Sequence, residues 1–371
     1  MPLLAVAAIT LLLPLAGAML GGIPLSELLQ LPLRERAWDP LQPSPLYTWV
    51  LDGLVLLLLA AVAFTAWPRR PRAGRLPKSP PGRLPRFAWF GPLALLLAVI
   101  TADAAAVNAT IGLVLLALAI LANADTQRRT GSSLLSQRPG YFASLFAASL
   151  AAGWLFYWLN LFLELWRYPH ATEAVPFVLG CSLAYAVLLP ALLSVRQWLA
   201  SFPALLSAVN RAELRDDIGP APQEGWILAG VALLGLAGAA LWPDWIYPLT
   251  LSAPLLLAVA VQHLRRRPTP FAGIIDGDWS RVLLPALAAV LLGLVVQGCN
   301  VWLGPAWITE LPLLGGPALF GLPLPGWAWI ALLGPLGVWL ADQLTAPWQQ
   351  QPQRPPPRTR FPVSVERGRR P

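Results

Sequence analysis

Residues 141–165 read YFASLFAASLAAGWLFYWLNLFLEL, an apolar run whose single charge, Glu164, stands at its far end. A run of about 20 apolar residues rising 1.5 Å each matches the ~30 Å hydrocarbon core of a bilayer, and only a helix satisfies its own backbone polar groups there. Roughly 200 of the 371 residues fall in runs of this kind. The fold class that follows is all-α, a polytopic transmembrane helical bundle. Ten spans can be drawn: Leu3 to Ile23, Tyr47 to Trp67, Phe87 to Ala104, Asn108 to Ala124, Tyr141 to Leu165, Ala174 to Ser194, Trp226 to Trp242, Tyr247 to His263, Val282 to Leu303 and Trp327 to Thr345. Phe87 to Asn123 is too long for one ordinary span, and Asp103 with Asn108 marks the place to turn. The first run lacks a preceding Lys or Arg and is long for a signal core, so it reads as a retained span.

Composition agrees. Charged residues make up 12% and apolar residues 57%, where a soluble domain carries about 25% charged. The formal charge of +8 comes from basic residues in short gaps beside apolar runs, which is a signature of topology and anionic headgroups rather than nucleic acid. All but three of the 26 Lys and Arg residues lie in alternate gaps or the C-terminal tail, the exceptions being Arg34, Arg36 and Arg167. Because cytoplasmic loops hold the basic excess, both termini are expected in the cytoplasm of a bacterium, with the spans in its inner membrane. Cys181 and Cys299 lie inside apolar runs, so no disulfide framework is implied, and no metal site or cofactor is expected.

Four regions result: 1–86 with two spans and a basic linker, 87–225 with spans three to six, 226–348 with spans seven to ten, and 349–371, a basic Pro-rich tail expected to be extended and mobile. Trp residues at span ends, among them Trp166, Trp226, Trp242, Trp245 and Trp327, form the expected aromatic belt.

A polar stripe marks the fifth span. Gly153, Tyr157, Asn160, Glu164 and Arg167 recur at helical spacing, and such a face in lipid must turn toward protein. In the ninth span Gly293, Gln297, Asn300, Gly304 and Trp307 stand 140 residues on. Spans four to six and eight to ten therefore read as an internal parallel three-helix duplication, whose twofold axis would lie along the membrane normal. Asn160, Asn300, Tyr157, Gln297, Arg167 and Trp307 are the candidate ligand-binding residues. The competing explanation is that Gly and Asn only hold helices together, at roughly 1 kcal/mol per Asn.

Asp52, Asp103, Asn108, His170, Glu173 and Glu310 also fall near the same ends of spans. They form either one shallow site with Glu164 or a wet rim in which charged side chains snorkel to water. The segment Gly304 to Gly326 has one charge, Glu310, and five Pro residues. It is too apolar for a free loop and too broken for a span, so it is expected to lie in the interface or against protein, as a lid.

From about Asn123 to Thr345 the chain resembles a family of uncharacterised bacterial multi-pass membrane proteins. The likeness lies in Arg128-Arg129-Thr130-Gly131-Ser132-Ser133-Leu134-Leu135, Arg138-Pro139, Asn160 with Trp166-Arg167-Tyr168, Asn300 with Trp307, and Glu310-Leu311-Pro312-Leu313-Leu314-Gly315. That family typically has an acidic residue before each such Asn, where this chain has Phe156, Tyr157, Val296 or Gln297. The Glu-x-Pro segment also looks faintly like the membrane-embedded lycopene cyclases of carotenoid synthesis. That resemblance implies acid chemistry on a polyene, a part that only Glu310 could play here. The enzyme hypothesis drawn beside it is acid-base chemistry on an isoprenoid lipid, with Glu310 or Glu164 as the catalytic acid and Asn160 and Asn300 as orienting groups.

Three function classes remain at this stage. The first is binding of membrane lipid or another apolar small molecule near the outer leaflet, the second an isoprenoid-modifying enzyme, the third a transporter. Transport is disfavoured by the scarcity of charge at mid-span. No phosphate-binding Gly loop, His-Glu-x-x-His pattern or nucleophile elbow occurs. Protein partners are not legible.

Overall fold

The computed structural model describes residues 2–24, 26, 30–65, 82–102, 107–209, 222–274, 277–304 and 306–344. Most of the basic linker, Asp103 and the tail lie outside them. Helices occupy all ten apolar runs: α1 (Pro2–Leu20), α2 (Pro45–Thr65), α3 (Phe90–Ile100), α4 (Val107–Thr130), α6 (Pro139–Leu163), α7 (Ala174–Ala200), α9 (Pro222–Gly238), α10 (Pro243–Leu264), α11 (Ser280–Trp302) and α12 (Leu324–Leu344). Two short helices, α5 (Leu134–Gln137) and α8 (Pro203–Val209), lie between them. Eight helices are long and apolar enough to cross a membrane. The other two, α3 and α9, are 11 and 17 residues long. The only sheet among the described residues is two pairs of two-residue strands: β1 (Trp166–Arg167) with β2 (Ile308–Thr309), and β3 (Ala318–Leu319) with β4 (Leu322–Pro323). The chain is thus all-α, with the length and apolarity of helix expected of an integral membrane protein.

Small residues set the packing, as they do where helices meet without a hydrophobic driving force from water. A Cβ on Gly17 would stand 2.1 Å from the Ala237 carbonyl oxygen, which brings α1 onto α9 backbone to backbone. Gly112 seats α4 against Leu183 and Ala184 of α7, and Gly235 seats α9 against Leu249 of α10. Polar side chains then tie the close pairs. Asn123 donates to Ser194 Oγ at 2.6 Å, and Thr250 donates to the Gly235 carbonyl at 2.7 Å. α2 is peripheral, with Trp49, Leu54, Leu57 and Phe64 more than half exposed, as a lipid-facing helix would be.

Loops gather at two ends. At one, Gly82 donates to the Arg128 carbonyl, Leu134 to Gln197 Oε1, Trp279 to the Val209 carbonyl, and Arg281 pairs with Asp342. The Asp125 carboxylate accepts hydrogen bonds there from Arg128, Arg129 and the Trp198 indole. At the other end lie the segments that follow α1, α6, α9 and α11, and there the candidate residues assemble.

Candidate functional site

Asn160 and Asn300 sit in the last turns of α6 and α11, 0% and 6% exposed. Each turns its amide on the chain that leaves its own helix. Asn160 Nδ2 donates to the Trp166 carbonyl at 2.6 Å, and its Oδ1 accepts from Trp166 N at 3.1 Å. Asn300 Nδ2 donates to the Trp307 carbonyl at 2.9 Å, and its Oδ1 accepts from Ala306 N at 2.8 Å and Trp307 N at 3.3 Å. Sequence reasoning expected them to reach another helix or a ligand. What the spacing could not reveal is that each secures a local return, with the buried amide satisfying backbone groups that have left the helix ladder.

These returns meet. β1 and β2 pair antiparallel, with Arg167 opposite Ile308 and Trp166 opposite Thr309, and Glu310 N continues the contact to the Leu165 carbonyl at 2.8 Å. The stripe read along the fifth span is therefore corrected at its end. The helix stops at Leu163, and Arg167 lies on a strand instead of a fifth helical rung. It stops because Glu164 takes a left-handed conformation, φ 51, while donating its N–H to the Asn160 carbonyl. Such a backbone costs a residue with a Cβ about 1 kcal/mol or more. The position four beyond Asn300 is Gly304, at φ 101, where no such cost applies.

The strain at Glu164 places its carboxylate in the interior, 1% exposed, so it does not snorkel to water. Oε2 accepts from Ala37 N at 2.9 Å, while Oε1 is buried and unpartnered among the described residues. Burial pushes this carboxyl up to about 7, against the Ala37 hydrogen bond and Arg36, with Asp244 adding to the rise.

Arg36, one of the basic residues on the unexpected side, organises the centre. Its side chain is only 6% exposed. Nε donates to the Glu164 carbonyl at 3.0 Å and lies 3.7 Å from Glu310 Oε2, and Nη2 donates to the Glu310 carbonyl at 3.3 Å. Burial pulls the guanidinium down from its usual value, opposed by Glu310, Asp244 and Glu164. Arg167 Nη2 closes on Glu310 Oε1 at 2.7 Å. Two catalytic candidates, Glu164 and Glu310, thus share one guanidinium, and the Glu310 carboxylate is gripped by two.

Around this cluster the segment from Gln30 to Ser44 is laced across the helix ends. Leu33 N donates to the buried Tyr157 hydroxyl at 2.9 Å, Tyr168 N to the Leu33 carbonyl at 2.7 Å, and Leu41 N to Asp244 Oδ2 at 2.8 Å. Tyr247 donates its hydroxyl to the Pro312 carbonyl at 3.1 Å, and Gly315 N donates to Thr48 Oγ1 at 3.0 Å. The Pro-rich stretch after Gly304 accordingly lies against protein, with β3 and β4 as its hairpin. Trp307 is half-buried against Tyr168, and Gln297 is half-buried one turn before Asn300. Asp52 and Asn108 are half-buried, and His170 and Glu173 are exposed.

Two clefts open beside the cluster. One, of about 300 Å³, is lined by Glu310 and the Pro40–Pro43 stretch. The other, of about 410 Å³, lies between Ile23, Ala37, Trp38 and Leu41 on one wall and the turn from Ala240 to Trp245 on the other. Asp244 and Trp38 both line the larger cleft, and Asp244 Oδ1 and Trp38 Nε1 are buried with no hydrogen-bond partner among the described residues. Neither Asp244 nor Trp38 stood among the sequence candidates.

One pH prediction arises from Glu164. A carboxyl raised to about 7 in the folded chain binds its proton more tightly than it does unfolded, so its contribution to stability is full at low pH and is lost as pH rises through about 7. The thermal midpoint is expected to fall between pH 5 and pH 8, and Glu164→Gln, which keeps the acceptor for Ala37 N, is expected to flatten that slope. An unchanged slope in the variant would assign the dependence to another group.

No family model, curated protein or solved structure matches the chain.

Proposed function

We propose that the chain is a ten-span integral membrane protein that binds a lipid or similar amphiphile in the 410 Å³ cleft at the Glu164 end of the bundle. The observation that carries the reading is the cleft's chemistry. Its walls are largely apolar and aromatic, and two of the residues that line it, Asp244 and Trp38, each carry a buried polar atom, Oδ1 and Nε1, with no hydrogen-bond partner among the described residues. Buried polar atoms without partners cost about 1–3 kcal/mol each, a cost that an occupant with a matching polar head and an apolar body removes.

The duplication forms part of this proposal. It is supported by four correspondences: the two Asn returns, Glu164 and Gly304 both at positive φ, Gly153 against Tyr185 of α7 matched by Gly293 against Ile330 of α12, and Arg167 opposite Ile308 in the ladder. Asn160 reaches Trp166 six residues on and Asn300 reaches Trp307 seven residues on, so one extra residue in the second return makes Ile308 the counterpart of Arg167. An antiparallel pair in which equivalent residues face each other is what a twofold axis along the membrane normal generates. In this reading the axis emerges at the Arg36 cluster, which seals the bundle and leaves binding to the cleft at its side.

Orientation follows the basic residues, which puts the Glu164 end outside the cytoplasm of a bacterial inner membrane. The acid-enzyme alternative finds its better candidate in Glu164, since Glu310 is gripped by Arg167 and Arg36.

Photo-crosslinking tests the binding reading. With the full chain in vesicles containing a diazirine phospholipid, adducts are expected to concentrate in residues 23–41 and 240–245. Adducts spread evenly over exposed faces such as that of α2 would contradict it. In intact cells, a Cys at Leu41 should react with a membrane-impermeant maleimide and a Cys at Lys78 should not; the reverse would invert the orientation.

A further inference from the structure

The geometry points to a primary ammonium as the group this cleft recognises, carried on an amphiphile whose next substituent is a hydrogen-bond acceptor, as in an aminoalkyl phosphate headgroup. The inference rests on the reading of the cleft as an amphiphile site and deepens it. Three Trp residues, Trp38, Trp242 and Trp245, line one small volume together with Asp244. Aromatic faces attract organic cations through the ring quadrupole, and a carboxylate adds the opposite charge.

Asp244 has a structural role that uses only part of it. It lies in the first turn of α10, where a negative charge favours the helix dipole, and its Oδ2 holds Leu41 N. Its residue is 7% exposed, and Oδ1 has no partner among the described residues. Arg36 is close enough to act on it electrostatically, but no hydrogen bond joins them, and Arg36 Nη1 is itself without a partner among the described residues. An N–H donor is therefore what Oδ1 lacks, and a primary ammonium supplies three.

The Trp38 indole has the opposite need, since Nε1 can only donate. A ligand that satisfies both must set an acceptor beside its ammonium. A phosphate two carbons away meets this demand, whereas a trimethylammonium headgroup keeps the cation and loses the N–H. Trp242 and Trp245 are each 57% exposed, so two of the three Trp residues that line the cleft stand at its open side, while Asp244 Oδ1 is closed over and a head must displace its cover to reach it.

The test titrates the purified full chain in non-ionic detergent with dihexanoyl phosphatidylethanolamine, phosphatidylcholine and phosphatidylglycerol, and separately with soluble O-phosphoethanolamine, reading bound ligand by native mass spectrometry. Phosphatidylethanolamine is expected to bind about tenfold more tightly than the other two lipids. Asp244→Asn, which keeps an acceptor for Leu41 N, should abolish that preference. Trp38→Phe keeps the ring and removes only the N–H, so it should weaken phosphatidylethanolamine about threefold, and it serves if Asp244→Asn melts early. O-phosphoethanolamine binding as tightly as the lipid would support the ammonium site and assign it to a soluble amine. Equal affinities for the three lipids, unchanged in Asp244→Asn, would overturn the ammonium inference and leave the amphiphile reading standing. No bound lipid or amine of any kind would overturn both.

Discussion

Arg36→Met is expected to cost about 3 kcal/mol of stability, since two carbonyl oxygens lose a charged donor and a buried acceptor left unpaired costs about 1–3 kcal/mol. Methionine keeps much of the stem and cannot replace what the guanidinium does: it donates to the Glu164 and Glu310 carbonyls and stands 3.7 Å from the Glu310 carboxylate. The variant leaves a buried carboxyl at Glu164 without its cation. Glu164, already raised to about 7 by burial, should then rise further, so the pH at which stability falls should move upward. Arg36→Lys is expected to recover less than half of the loss, because an ammonium supplies a point charge without the planar fork. Thermal melting of the detergent-solubilised chain at pH 5 and pH 8 checks both claims. A melting point within a degree of the parent at both values would show that Arg36 only fills space.

Gly334→Ala is expected to be as damaging, at about 3 kcal/mol or more, for a different reason. A Cβ there would lie 2.2 Å from the Pro285 carbonyl oxygen and 2.6 Å from Ala286 N. Both obstacles are backbone of α11, so no rotamer change relieves them and α12 must move bodily. Gly230, exposed on α9 with nothing within 4 Å of its would-be Cβ, is the control. There the same substitution should stabilise by roughly 0.5–1 kcal/mol through helix propensity. Opposite signs at the two positions are the expected result. A neutral Gly334→Ala would mean that α11 and α12 separate freely.

The helices were legible because apolar runs of bilayer length need no tertiary information to identify, and each run is helical. Short α3 and α9 could not be distinguished from full spans by hydropathy alone, since their flanks are also apolar. The polar stripe placed Gly153, Tyr157 and Asn160 on a protein-facing side of a helix, as observed, but extrapolated the helical rung one turn too far. Glu164 breaks it in a left-handed conformation that local propensity disfavours for such a residue, and only its buried contacts with Ala37 and Arg36 make this tolerable.

The centre of the site was less legible because it is made of distant residues. Leu41 meets Asp244, Leu33 meets Tyr157, and Arg36 meets Glu310, and no periodicity connects such positions. One sign was present. Arg34, Arg36 and Arg167 were the basic residues that broke the charge asymmetry. Two of them, Arg36 and Arg167, grip Glu310, while Arg34 donates to the Thr172 carbonyl. A cation that violates the topological rule at a span end asks for a carboxylate partner, and here that question would have led to Glu310. Asp244 and Trp38 gave no comparable signal, because an acidic first turn and an interfacial Trp are ordinary features of membrane helices.

The most direct test of an amphiphile site is a density map of the full chain extracted and embedded in its native lipid. The account predicts ordered headgroup density between Trp38 and the turn from Ala240 to Trp245, in contact with Asp244 Oδ1 and continuous with an acyl chain running down the bundle. A cleft closed by its own side chains, with Asp244 Oδ1 bonded to a protein donor and lipid ordered only on the outer helix faces, would contradict it.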